Sequence, residues 1–297
     1  MDARHSVGLT FPMKSLIKKA LIKSAHNATV WGMLEATLFR LTRFLEREKY
    51  RNENAPPTPA LNWEAALKII SPDLTVRHGV FRGLKYPAEK SVGSVLIPKL
   101  LGSYEQELQP LLQRLIPQNY SEIVDIGCAE GFYAIGLGRL FPASKIFAYD
   151  TNPEGIRLCR LMAQANQIES RLVTGSFCDA VALQNLPLTR RALVVSDCEG
   201  YEKHLFTAET VRKLANHDVL IEVHDFVDIT LSAQLRAAFQ TTHDLEIIES
   251  IDDLKKAQTY DFAELATFDL SQRKLLLAEH RPAIMEWFYF SSRILAK

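Results

Sequence analysis

The sequence predicts an α/β fold: a doubly wound, mainly parallel seven-stranded sheet with helices on both faces and an N-terminal helical extension. Three observations carry this. From Ser121 onward, short apolar runs alternate with stretches of helical periodicity. The first run, Ile123-Val124-Asp125-Ile126, ends in a glycine turn, Gly127-Cys128-Ala129-Glu130-Gly131, that opens into a helical pattern. The second run, Lys145-Ile146-Phe147-Ala148-Tyr149, stops at Asp150, nineteen residues after Gly131. A strand turning tightly into a helix aims backbone N–H groups at a ligand. An acid at the tip of the second strand, about 20 residues past such a turn, is placed to hold ribose hydroxyls. Together these pieces describe a nucleoside-binding βαβ unit.

The elements are expected in the following order. Residues 13–50 read as helix, with Leu16, Ile17, Leu21, Ile22 and then Trp31, Leu34, Leu38, Leu41, Leu45 as apolar stripes. The opposite face carries Arg40, Arg43, Arg47 and Lys49. Such a helix either packs its stripe on the protein with the charges in water, or lies on an anionic membrane surface. Pro56, Pro57 and Pro59 then break the pattern as a linker. Residues 74–86 alternate roughly, with glycines at turn spacing, and predict a short β-hairpin. A helix is expected from Ile97 to near Pro117. Strands are expected at about 122–127, 145–149, 170–174, 192–196, 219–223, 245–249 and 285–290, with helices at 131–140, 153–165 and 229–239. This divides the chain into an extension and linker at 1–60, a hairpin and helix at 61–118, and a core at 119–297.

Composition narrows the function classes. Across 297 residues the formal net charge is zero and the pI is about 7.1, so no overall field draws in nucleic acid. Cys128, Cys159, Cys178 and Cys198 show no C-x-x-C pairing, as expected of reduced thiols. No run of about 18 apolar residues predicts a spanning helix. The basic N-terminus is broken by Lys18, Lys19 and Lys23 and lacks the pattern of a secretory signal. The expected location is cytoplasmic, with peripheral membrane contact through residues 13–50 left open.

The turn separates two kinds of nucleoside ligand. A dinucleotide site wants G-x-G-x-x-G, so that the backbone can approach a pyrophosphate. Here Ala129 stands at the middle position, and Glu130 would set negative charge beside a phosphate. The combination D-x-G-x-x-x-G, followed by Asp150 at the end of strand two, resembles motifs I and II of class I S-adenosylmethionine-dependent methyltransferases. That cofactor carries a sulfonium and an ammonium, which an acid-rich turn suits. Trp287-Phe288-Tyr289-Phe290 resembles the antiparallel last strand of that core.

After strand four the chain reads Ser196-Asp197-Cys198-Glu199-Gly200-Tyr201-Glu202. Asp197, Glu199, Gly200 and Glu202 match the Asp-x-Glu-Gly-x-Glu signature of the FkbM-type methyltransferases. Lys99-Leu100-Leu101-Gly102-Ser103-Tyr104-Glu105 resembles the helix that closes over the cofactor in that group, which implies a cofactor role for Glu105. The resemblance covers residues 99–225. It implies methyl transfer to an oxygen of a small molecule, sugar or lipid-linked hydroxyl.

Asp125, Asp150, Asp179, Asp197 and Asp225 all fall at carboxyl ends of expected strands, where α/β sheets bind ligands. Asp150 is assigned to the ribose hydroxyls, and Gly127 and Gly131 to the permissive backbone of the turn. Asp125 is expected to orient the turn amides or the cofactor ammonium. Asp179 either takes the adenine amine, beside Phe177, or caps a helix. Asp197 borders both cofactor and acceptor. Methyl transfer is an in-line displacement that needs alignment and exclusion of water, and a hydroxyl acceptor must also lose a proton. Asp197, Glu199 and His224 are the candidate catalytic residues, with His204 and Asp225 nearby in sequence. His224 could instead be a hydrogen-bonded loop residue. A magnesium ion on Asp197 and Asp225, with His224 or water completing the shell, is a further option. Nucleic acid is disfavoured as acceptor, because no N-P-P-aromatic motif follows strand four. The competing classes are a non-catalytic cofactor-binding module and a membrane-surface interaction protein.

Overall fold

The computed structural model of the chain describes residues 61–294. The expected helix at 13–50 and the proline linker lie outside the described residues. In chain order the described helices are α1 (Trp63–Ile70), α2 (Leu96–Leu101), α3 (Gln109–Leu115), α4 (Phe132–Leu140), α5 (Pro153–Ala165), α6 (Ala180–Gln184), α7 (Glu202–Leu205), α8 (Ala208–Lys213), α9 (Leu231–Phe239), α10 (Asp253–Thr259) and α11 (Leu270–Leu277). The strands are β1 (Glu122–Ile126), β2 (Lys145–Tyr149), β3 (Leu172–Gly175), β4 (Ala192–Ser196), β5 (Asp218–Val223), β6 (His243–Glu249) and β7 (Glu286–Ser292).

The strands form one seven-stranded sheet in the order β3-β2-β1-β4-β5-β7-β6. The first five run parallel. β7 lies antiparallel between β5 and β6. β1, β4 and β5 are buried along their whole length, which is why they read as unbroken apolar runs. Their side chains alternate between two cores. Leu193, Val195, Leu220, Trp287 and Tyr289 enter one. Val194, Val219, Ile221, Phe288 and Phe290 enter the other. This is the period of two that a pleated strand imposes. The strand order reverses between β1 and β4, so their carboxyl ends open a crevice there.

Residues N-terminal to β1 belong to the same packing. Leu67, Ile70, Phe81, Leu84, Leu100 and Leu101 join the core that contains Ile123 and Ile135. The expected hairpin at 74–86 is not a pair of strands. One antiparallel bridge, Thr75 to Lys85, and bonds such as Val76 N to Leu84 O (2.8 Å) close a turn-rich loop. The expected long helix from Ile97 is also interrupted. Gly102 takes a left-handed φ of 92° and ends α2, and a 3-10 turn at Gln106–Leu108 intervenes before α3. β3 begins later than expected, because Glu169–Arg171 forms a 3-10 turn.

Candidate functional site

A cavity of about 430 Å³ opens at the crevice, within the size range of ligand sites. Gly127, Ala129, Asp150, Phe177, Asp197 and Glu199 are among the residues that line it. The glycine turn forms its floor. Gly127 and Cys128 both donate to Tyr149 O, at 2.9 and 3.0 Å, which ties the turn to the tip of β2. Gly127 has a φ of 87°, and an added Cβ would sit 1.7 Å from Asp197 O. Only glycine fits that conformation and that approach. Ala129 takes a φ of 46°, so the alanine adopts the left-handed backbone itself, at a cost of about 1–2 kcal/mol. Gly131 follows at φ 95° and begins α4.

Asp150 stands on the cavity wall. Its Oδ2 accepts from Ala129 N at 2.7 Å and its Oδ1 from Asn152 N at 2.7 Å. Each carboxylate oxygen keeps a further lone pair for a ligand hydroxyl. Asp125 also lines the cavity. It is buried, and its Oδ2 has no hydrogen-bond partner among the described residues. Burial, together with the charges of Asp197 and Asp150, pushes its carboxyl up to about 8.

Two expected cofactor residues are turned elsewhere. Asp179 caps α6, accepting from Ala182 N at 2.8 Å, and its neighbours Phe177 and Cys178 line the cavity instead. Glu105 is buried in an ion network: Arg281 pairs with it and with Glu222, and Arg281 Nε lies 3.0 Å from Glu279 Oε2. Tyr133 donates to Glu105. Burial drives Glu105 up to about 7 against the pull of Arg281, and Glu222 up to about 8.

Glu130 does not face the ligand. It is buried beside Lys99, whose Nζ is 2.6 Å from Glu130 Oε1. Val92 N (3.0 Å) and Ser91 Oγ (2.8 Å) also donate to it. Burial works to raise this carboxyl, but Lys99 and these donors outweigh it and hold it low. The acid in the turn thus anchors the segment before α2, and does not supply the negative field expected of it. Neither partner was legible as one, because they lie 31 positions apart.

At the mouth of the cavity the residues after β4 and β5 converge. His224 is buried, with its Nδ1 3.0 Å from Glu202 Oε1. Its Nε2 faces Asp197 Oδ1 at 3.4 Å, Glu199 Oε2 at 3.6 Å and Glu222 Oε2 at 3.8 Å. Burial opposes the imidazolium, but the carboxylates of Asp197 and Glu202 outweigh it and push His224 up to about 10. Asp225 is not part of this group; its Oδ1 accepts from Ser232 N at 2.9 Å, at the start of α9. A second cavity of about 150 Å³ continues from the first. The two share Gly93, Ser94, Tyr104, Asp197 and Glu199.

Residues 107–188 match the family described as the methyltransferase small domain. That stretch holds β1, the turn, β2 and β3. The core has the class I S-adenosylmethionine-dependent methyltransferase fold. Its crevice also suits that cofactor: a permissive turn, Asp150 at the tip of β2, and a buried acid at Asp125 with one oxygen lacking a partner among the described residues. A sequence 32% identical over 78 residues is the uncharacterized protein MG259 homolog of Mycoplasma pneumoniae, covering 26% of this methyltransferase-fold chain and 17% of that protein. Another, 26% identical over 179 residues, is a tRNA1(Val) (adenine(37)-N6)-methyltransferase of Porphyromonas gingivalis, covering 57% and 67%. Among solved structures, precorrin-6y C5,15-methyltransferase from Geobacter metallireducens aligns with TM-score 0.42 and 12% identity, over 62% of this chain and 88% of the other. Cofactor-bound Rv0187 from MTB aligns with TM-score 0.43 and 12% identity, over 64% and 80%. Among the described residues no helix of the methyltransferase-fold chain is long and apolar enough to cross a membrane.

Proposed function

We propose that the chain is an S-adenosylmethionine-dependent methyltransferase that acts on a hydroxyl of a small molecule, sugar or lipid-linked acceptor. The observation that carries the reading is the joining of two cavities at Asp197 and Glu199, one behind the glycine turn and one walled by acids. The larger is the cofactor's and the smaller the acceptor's. The Asp197-x-Glu199-Gly200-x-Glu202 pattern supports the FkbM-type group.

S-adenosylmethionine, when bound, supplies a methyl group on a sulfonium sulfur and leaves as the neutral thioether. Asp150 accepts the ribose hydroxyl protons in hydrogen bonds, and its own bonds to Ala129 N and Asn152 N fix its rotamer for the task. Asp125 faces the cofactor's ammonium. Phe177, half exposed on the cavity wall and 5.3 Å from the Tyr201 ring, offers a face to the adenine. Asp197, at the junction, accepts the proton that the acceptor hydroxyl releases. His224 holds Asp197 and Glu199 toward the junction.

A tRNA acceptor is the second reading, favoured by the Porphyromonas gingivalis relative. Two features weigh against it. The turn after β4 reads Asp197-Cys198-Glu199-Gly200-Tyr201, with no N-P-P-aromatic motif. Asp197 and Glu199 also place carboxylates at the mouth, where a phosphate backbone needs positive charge.

Calorimetric titration tests the cofactor. S-adenosylmethionine and its demethylated product are expected to bind, and NAD is not. Asp150→Ala is expected to weaken both by roughly 10–100-fold, the loss of charge-assisted hydrogen bonds. Tight NAD binding, or unchanged affinity in Asp150→Ala, overturns the reading.

A further inference from the structure

The convergence around His224 is poorly explained by hydrogen bonding alone. Three carboxylate oxygens approach Nε2, from Asp197 at 3.4 Å, Glu199 at 3.6 Å and Glu222 at 3.8 Å. None is within the ordinary N–H···O range of roughly 2.7–3.2 Å. Nε2 is therefore a deeply buried nitrogen aimed at acids that stop short of it; its residue is 2% exposed. Asp197 Oδ1 is likewise shielded from solvent without a hydrogen-bond partner among the described residues. Ligand atoms from Asp197, Glu199 and His224 all lie within 4.8 Å of one another. Bonds of about 2.0–2.2 Å to one central ion set ligands roughly 3–4.4 Å apart, which is the spacing of the Asp197 and Glu199 oxygens from Nε2.

The far side of the ring is built for the same purpose. Glu202 is fully buried, and its Oε1 takes the Nδ1 proton at 3.0 Å. Cys198 N donates to the same oxygen at 3.0 Å, which fixes the carboxylate. A carboxylate on Nδ1 fixes the ring with Nε2 toward the acids, the arrangement usual behind a metal-bound histidine, and an ion bound there takes the place of the Nε2 proton. Glu199 reaches the cluster through a left-handed backbone, φ 54°.

We propose that Asp197, Glu199 and His224 bind one divalent transition-metal ion, of the manganese-to-zinc series, at the junction of the two cavities. The imidazole nitrogen sets the class. Two carboxylates with a histidine suit manganese, cobalt or zinc, whereas magnesium prefers oxygen and water alone. Glu222, whose Oε2 also faces Nε2, stands ready as a further ligand. The use of the ion rests on the methyl-transfer reading: beside Asp197 it would draw an acceptor oxygen into place and ease loss of its proton. Its binding does not depend on that reading.

Titration of the cofactor-free protein with Mn2+, followed by electron paramagnetic resonance, tests the site without any turnover. One ion per chain is expected, displaced by Zn2+ and not by tenfold more Mg2+. Glu199→Gln, on an exposed loop, is expected to weaken Mn2+ at least tenfold, and Glu202→Gln, behind the ring, by about 10–100-fold. Thermal unfolding confirms that each variant is folded. Folded protein that binds no Mn2+, ready displacement by Mg2+, or full affinity in Glu199→Gln overturns the proposal. S-adenosylmethionine binding to the same samples reports separately on the methyl-transfer reading.

Discussion

Asp125 is 2% exposed and has one oxygen without a partner among the described residues. Burial holds its carboxyl neutral up to about pH 8. A folded-state pKa raised above the ordinary 3.8 means that stability is full below that value and is lost as pH rises through about 8. Asp125→Asn removes this titration. The melting temperature of the variant is therefore expected to gain on the parent between about pH 5 and about pH 9. A change of 1 kcal/mol moves the midpoint by roughly 2–4 °C in a domain of this size, so the effect is measurable by calorimetry. A difference that stays constant with pH would show that Asp125 is not the titrating group.

At this same scale, parts of the site were legible and parts were not. The turn and Asp150 could be read because their spacing is local and set by one βαβ unit. Asp179 was ambiguous in the sequence, since the acid that ends a strand is also the acid that caps the next helix; it caps α6. The roles of Lys99, Glu222 and Arg281 were invisible. Each depends on a partner brought close only by the finished sheet, and no periodicity encodes such pairs.

Among elements, the Lys99–Glu130 pair joins α2 to the start of α4. Removing one partner leaves a buried charge, which costs roughly 3–5 kcal/mol. Lys99→Met and Glu130→Met are each expected to destabilise by about that amount, whereas the double variant should cost much less than their sum, as a double-mutant cycle in urea would show. Strict additivity would mean that the two charges do not depend on each other. β1, β4 and β5 were read closely because full burial makes them continuous apolar runs. The helices at 253–277 were passed over, although Asp252 and Asp269 are caps and Asp269 with Gln272 forms a capping box. That signal was present in the sequence. The expected hairpin failed for the opposite reason: glycines at turn spacing describe a loop as well as they describe a β-turn, and only one bridge formed.

For the whole described unit, Arg281 gathers acids from three regions: Glu105 before α3, Glu222 on β5 and Glu279 after α11. Burial raises Glu105 to about 7 and Glu222 to about 8, against the attraction of Arg281. Both folded values lie above the ordinary 4.5, so stability is lost as pH climbs through them. Arg281→Ala takes away the opposing charge. Its loss of melting temperature relative to the parent is expected to be larger near pH 8 than near pH 5, and an equal loss at both would separate Arg281 from these acids. The seven-stranded architecture was evident from strand count and alternation, because layer packing follows from pattern. The position of β7 between β5 and β6 was not, since strand order in an antiparallel tail leaves no mark on local sequence.

That position has a consequence during synthesis. β5 and β6 are both made before Glu286–Ser292, yet they do not pair with each other; β5 bonds to β4 along one edge and needs β7 for the other, and β6 bonds only to β7. A nascent chain lacking those residues holds two raw edges with unpaired amides, the kind that recruit neighbouring chains. The sheet therefore closes late, and a ribosome stalled before Met285 would release a product prone to clump.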